Sequence, residues 1–307
     1  MAAIRKKNAR TRYNPGAFLD LPAEASAYET ARVVVLPLPY EESVSYGGGT
    51  AGGSDAIIAA SQQVELYDPP TGTEPALEYG VHTLKTPAFF KKRHGKNHAA
   101  RTMDAIGEEV ARHLAAGKFV VGLGGEHTVS YGVAKGVEKA LGEFSLVHID
   151  AHADLRDAYG DNPYSHACVV RRIAEMPGCR KIMQLGIRST TEEQVVYAGE
   201  RGIRTWYAWD IHGKKEWQRQ LGRMVAKERV FFTFDVDGLD PSIVPATGTP
   251  EPNGLTWGEM EDIVRIVADS SNVCAMDCVE LAPVRGLHYA DFAVARALYA
   301  IVSRFVQ

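Results

Sequence analysis

The chain has 307 residues, enough to bury the core of one large α/β domain or two smaller ones. Hydrophobic residues make up 45% and charged residues 23%, as in an ordinary globular protein. With a net charge of -4 and no apolar run near the roughly 18 residues of a membrane span, neither nucleic acid nor a membrane is an expected partner.

The opening stretch, MAAIRKKNARTRYNPG, is basic and has no acid before Asp20. It also lacks the apolar core of a secretory signal. Residues 1–30 are read as an N-terminal arm, flexible or touching another subunit, on one domain covering 1–307. ARVVVLPLPY then reads as the first strand. The Gly-rich SYGGGTAGGSD and the stretch from Asp68 to His98 read as long surface loops. Further along, KFVVGLGG, EFSLVHID, KIMQLGIR, RVFFTFDVD and NVCAMDCVEL read as short strands rich in Val, Ile and Phe. Such runs suit strands covered on both faces.

Between them lie helical patterns: TMDAIGEEVARHLAAG, TVSYGVAKGVEKALG, HACVVRRIAEMPG, TEEQVVYAGERG, KKEWQRQLGRMVAKE and TWGEMEDIVRIVAD. The first ends at a Gly after a 3.6-residue apolar repeat, and Thr256 with Glu259 forms a capping-box pattern in the last. Alternating strands and helices predict a mainly parallel sheet flanked by helices. The cysteines Cys168, Cys179, Cys274 and Cys278 form no C-x-x-C and read as reduced thiols in a cytoplasmic protein. The spacing of Cys274 and Cys278 puts them on one face of a strand. Trp206, Trp209, Trp217 and Trp257 read as core or subunit contacts.

Chemistry gathers at three strand ends. His127 follows KFVVGLGG. Asp150, His152 and Asp154 follow the next strand as D-x-H-x-D, and Asp235 and Asp237 end RVFFTF as D-x-D. In open parallel sheets ligands bind outside the carboxyl ends of the strands. An i, i+2 spacing on extended backbone sends side chains to one side. Four close carboxylates repel and raise one another's pKa, so a cation is required. Asp and His ligands without thiolate favour a hard ion such as Mn²⁺. Two ions about 3.5–4 Å apart can share a water and lower its pKa toward neutrality. His148, two residues before Asp150, is read as a packed strand residue or a support for the ligands.

Two nucleotide signatures fail. Gly122 and Gly124 begin a G-x-G-x-x-G, but His127 stands in the last place, and no G-K-[ST] follows the Gly-rich loop.

The stretches GLGGEHTVSYG, HIDAHADLRDAYGDNPYSHA, FTFDVDGLDPSIVPATGTPEPNGL and DCVELAPVRG resemble the ureohydrolase family, the arginases and agmatinases, and look most like bacterial and archaeal agmatinases. The resemblance implies a three-layer α/β/α, arginase-like fold, two Mn²⁺ per subunit and a trimer or hexamer. On that pattern one ion is held by His127, Asp150, Asp154 and Asp235, and the other by Asp150, His152, Asp235 and Asp237. Glu280 matches the acid that pairs with a substrate guanidinium, a planar cation suited to a bidentate carboxylate. His166 matches the proton-shuttling histidine, although Ala167 follows it where many relatives have Gly. Asp154 is placed to take a proton from the nucleophile.

Arginases read the amino-acid end of their substrate through polar residues after D-x-H-x-D, typically an Asn where this chain has Arg156. The expected reaction is therefore hydrolysis of agmatine to putrescine and urea. Guanidinobutyrate, N1-aminopropylagmatine, arginine and guanidine stay open as substrates, and Arg156 could pair with a carboxylate on guanidinobutyrate. Two other classes also stay open: a single-zinc amide deacetylase and a non-catalytic homologue.

Overall fold

The computed structural model describes residues 16–69, 72–91 and 97–306. Among them eight strands form one sheet: β1 (Val33–Leu38), β2 (Val81–Thr83), β3 (Phe119–Gly124), β4 (Phe144–Ile149), β5 (Cys179–Ile187), β6 (Arg204–Tyr207), β7 (Arg229–Asp235) and β8 (Asn272–Val279). The order across the sheet is β2-β1-β3-β8-β7-β4-β5-β6, and every pairing is parallel. The sheet expected from the alternation of strands and helices is therefore present, and it is wholly parallel.

The helices are α1 (Ala23–Ser26), α2 (Gly53–Ser61), α3 (Pro75–Tyr79), α4 (His98–Ala115), α5 (Val129–Leu141), α6 (Val169–Ala174), α7 (Glu192–Arg201), α8 (Ala208–Ile211), α9 (Glu216–Val225), α10 (Trp257–Ser270) and α11 (His288–Phe305). They cover both faces, which is why the central strands are apolar throughout. One core layer joins Ile57 of α2, Leu221 of α9, Ile263 of α10 and Leu298 of α11 to Val121, Val147 and Phe232 of the sheet. The other joins Ile106 of α4, Val133 of α5 and Ile173 of α6 to Val120, Leu146 and Phe231. The capping box at Thr256 and Glu259 forms in full and starts α10.

Several expectations need correction. The Gly-rich stretch is not only loop, because α2 begins at Gly53 within it. The stretch from Asp68 to His98 contains α3 and β2. Cys274 and Cys278 do not share a face. The pairing of β7 with β8 slips between Val230 and Phe231, opposite Val273 and Ala275. That bulge turns Cys274 toward the layer containing Ala275, while Cys278 enters the opposite one. Residues 1–15, the basic part of the expected arm, lie outside the described residues; Phe18, Leu19 and Leu21, which follow, are buried. Trp206 and Trp217 are buried, and Trp209 is exposed and stacked on Tyr207. Among the described residues no helix is long and apolar enough to cross a membrane.

Candidate active site

The four adjacent central strands, β3, β8, β7 and β4, each end at a candidate site residue. After β3 the chain turns sharply over the end of β1. A Cβ on Gly125 would lie 2.0 Å from the carbonyl oxygen of Tyr40, so only glycine permits this approach. The amide of Gly125 donates to Leu38 and that of Glu126 to Tyr40, which delivers His127 to the crevice. Its Nε2 lies 2.9 Å from the Thr233 hydroxyl of β7. Its Nδ1 lies 3.1 Å from Asp150 Oδ2 and 3.2 Å from both Asp154 Oδ2 and Asp235 Oδ2.

A second group lies beside the first. His152 Nδ1 is 3.0 Å from Asp237 Oδ2 and 3.5 Å from Asp150 Oδ1. The two oxygens of Asp150 thus face different histidines. The loops after β4 and β7 hold each other in place: Ala151 N–H donates to Asp237 Oδ1 at 3.0 Å, and Asp237 N–H to Asp235 Oδ1 at 2.9 Å. A Cβ on Gly238 would come within 2.6 Å of Ile149 Cγ2, so the residue after D-x-D must be bare. His148 supports the cluster and is packed as well: it is fully buried, and its Nε2 lies 2.7 Å from Asp150 Oδ2 while its Nδ1 faces the Gln184 amide at 3.1 Å.

Asp154 and Glu280 both adopt positive φ, 52° and 65°. Such backbone costs on the order of 1–3 kcal/mol for a non-glycine residue and collects at functional sites. Glu280 follows β8; its amide donates to Gly125 and its Oε1 accepts the His127 amide at 2.5 Å. It lines one cavity with Glu126, His152, Asp154, His166, Asp235 and Asp237. The structure therefore brings together six of the nine residues singled out from the sequence in that cavity, with His127 and Asp150 buried directly beneath. Arg156 is half-buried, stacked 5.2 Å over Tyr159 and outside the residues lining the cavity.

The electrostatics demand positive charge. Burial opposes a charged His127, but the facing carboxylates of Asp150, Asp154 and Asp235 outweigh it and hold the imidazole well above its ordinary range. Burial also opposes charge on His152, yet Asp237 and Asp150 push it up to about 12. Burial, with repulsion from Asp237 and Asp150, holds Asp235 well above the carboxylate range. Asp150 is held well below that range: burial works against this, but His148, His127 and His152 prevail. Glu280 is pushed well up, chiefly by burial.

A divalent pair fits these donors. His127 Nδ1 is buried without a hydrogen-bond partner, although three carboxylate oxygens surround it. With Nε2–H given to Thr233, a lone pair would point at those oxygens, an arrangement that a cation resolves. Ligand atoms of His127, His148, Asp150 and Asp154 lie within 4.8 Å of one another, as do those of Asp150, His152 and Asp237. These two His/Asp clusters suit hard ions.

Three supporting residues were not singled out from the sequence. Glu126, in GGEH, is buried and accepts the amides of Glu42 and Ser43, each at 2.7 Å. Its place beside His127 was the one available signal. Asp277 is fully buried and lies opposite Thr233, beneath His127. Arg188, after β5, donates only to main-chain carbonyls: those of Gly186, Asp237, Gly238, Leu239, Glu251 and Pro252. No motif announces that role.

Comparison with known proteins points to one family. The sequence pattern described as "Arginase family" matches residues 31–303. The chain is 36% identical over 293 residues to N(1)-aminopropylagmatine ureohydrolase of Synechocystis sp., covering 94% of this chain and 93% of that one. It is 34% identical over 259 residues to agmatinase of Bacillus cereus, covering 84% and 86%. Among solved structures, agmatine ureohydrolase of Thermoplasma volcanium superposes with a TM-score of 0.80 at 26% identity, covering 95% of each chain.

Proposed function

The chain belongs to the arginase family and is a metal-dependent ureohydrolase of agmatine-type substrates, and we propose that it converts agmatine to putrescine and urea. The observation that carries this reading is Glu280, half-buried at positive φ, on the wall of a cavity floored by His152, Asp154, Asp235 and Asp237.

In this reading His127, Asp150, Asp154 and Asp235 would hold one Mn²⁺, and Asp150, His152, Asp235 and Asp237 another. His148 would support rather than ligate: the Gln184 amide donates to its Nδ1, which leaves the proton on Nε2 to be donated to Asp150. A bound divalent pair lowers the pKa of a shared water and supplies hydroxide near neutral pH.

The chain's own residues do the rest. Glu280 accepts two parallel hydrogen bonds from the guanidinium, and that incoming charge stabilises its carboxylate against burial. Asp154, beside His127, accepts a proton as water adds to the guanidinium carbon. His166, on the cavity wall, gives a proton to the amine nitrogen as its bond to that carbon breaks. Urea and a primary amine leave.

A second substrate is favoured by one comparison. The Synechocystis relative named for N(1)-aminopropylagmatine covers more of this chain than the Bacillus agmatinase, at 36% against 34% identity. That molecule differs from agmatine at the end away from the guanidinium, so the same residues could serve both. Arg156, stacked on Tyr159 and outside the cavity lining, is the cation a guanidinobutyrate carboxylate would need as its partner.

The test is urea release by Mn²⁺-loaded protein given agmatine, N1-aminopropylagmatine, arginine and guanidinobutyrate. Agmatine should give the highest kcat/KM. A higher value for N1-aminopropylagmatine moves the assignment to that substrate, and a higher value for arginine or guanidinobutyrate rejects it. No urea from any of them, with metal bound, would point to a non-catalytic homologue. About one ion per chain would favour a single-zinc deacetylase. The trimer or hexamer belongs to the same reading and is checked by light scattering.

A further inference from the structure

His166 has a neighbour that fixes more than its place. Its main-chain amide donates to Ser43 Oγ at 3.0 Å, and its Nδ1 lies 3.1 Å from the same oxygen. Ser43 Oγ lies in turn 2.7 Å from Glu126 Oε1. Glu126 also receives the Thr128 hydroxyl at 2.6 Å, besides the amides of Glu42 and Ser43. Four donors thus converge on one buried carboxylate, which can only accept.

A serine hydroxyl has one proton to give. With that proton directed to Glu126, the Ser43 oxygen must act as acceptor toward His166. Its two lone pairs match the two His166 N–H groups that approach it, the amide and Nδ1–H. The other hydroxyl near Nδ1, that of Ser165, is farther away at 3.4 Å. The remaining ring nitrogen, Nε2, lies 3.3 Å from Ser45, which lines the cavity.

We propose that Ser43, anchored by Glu126, is a positioning residue that holds His166 in the Nδ1–H tautomer and so reserves Nε2 for the proton given to the leaving amine. A proton that arrives at Nε2 then departs from Nε2, and Nδ1–H never leaves Ser43. This rests on the reading that His166 delivers that proton.

A double-mutant cycle tests it with Ser43→Ala, His166→Ala and the pair, all Mn²⁺-loaded and assayed on agmatine, with metal content and circular dichroism checked. Ser43→Ala should lower kcat about 10- to 100-fold, part of the gain usual for a general acid, with KM within about threefold. Ser43→Thr, which keeps the hydroxyl, should recover most of it. In the His166→Ala background, Ser43→Ala should cost nothing more. If it costs the same factor there, Ser43 acts on the loop rather than through His166 and the proposal falls. His166→Ala near wild-type turnover removes the His166 reading itself, and the proposal with it. If Ser43→Ala proves unfolded, Ser43→Cys takes its place in the cycle, keeping the volume and losing the hydroxyl.

Discussion

The floor and the rim of the cavity are built by different means. The floor comes from the ends of β3, β7 and β4, and Asp150, Asp154, Asp235, Asp237 and His127 are all at most 5% exposed. Their backbones are extensions of buried, hydrogen-bonded strands. The rim comes from loops carrying Val44, Tyr46 and Tyr159, exposed at 42%, 85% and 43%. These loops meet through side chains and single amides rather than a ladder: Ser43 and Ser45 against His166, and the Gly47 amide to Gly248. On the proposed reading, the division leaves metal binding to the strand ends, while the loops supply the proton-delivering His166 with Ser43 and face the end of the substrate away from the guanidinium. Replacements in the floor should therefore abolish turnover with the loss of metal, and those at exposed rim side chains away from Ser43 and His166 should redistribute preference.

The largest effect is expected from Asp150→Ala or Asp235→Ala. Each should lose metal and lower turnover on the order of a thousandfold or more. Urea release near the wild-type rate, with two ions still bound, would sink the ligand assignment. Next comes Glu280→Gln, which removes a charged acceptor. Its kcat/KM should fall about 10- to 150-fold, the worth of a hydrogen bond to a charged group. Unchanged kinetics would show that the guanidinium docks elsewhere.

Chelation should have a smaller, pH-dependent effect. In metal-free protein the folded pKa of His152 stands at about 12, above the unfolded value. Its stabilisation is full below the unfolded pKa of about 6.5 and declines as pH rises toward 12. Metal binding needs the neutral imidazole and so strengthens as pH rises. The difference in Tm between loaded and chelated protein should therefore widen from pH 6 to pH 8, and a constant difference would argue against His152 as a ligand. The smallest effect belongs to the rim: Arg156→Ala should change kcat/KM for agmatine less than about threefold, as surface changes usually do. A much larger loss would place Arg156 in the floor's class.

Local pattern and distant contact were unequally legible in the sequence. The six Asp and His residues could be found because strand ends and i, i+2 spacing are local features. Ser43 and Glu126 could not be paired, because 83 residues separate them and only the sheet order brings β1 beside β3. α11 was missed for another reason. Its apolar residues run together, as in Ala297, Leu298 and Tyr299, so no narrow stripe marks a helix. β2 and β6, of 3 and 4 residues, are too short to show a period. The Cys274 bulge changes a side chain's face without changing composition.

Arg188 has a further consequence. One guanidinium ties together carbonyls on three separate stretches, around Gly186, Asp237 to Leu239, and Glu251 to Pro252. None of the three can open alone without stripping a partly buried cation of its acceptors. Amide hydrogen exchange in these stretches should therefore report one shared opening rather than three independent ones. The catalytic floor would then be lost or kept as a unit.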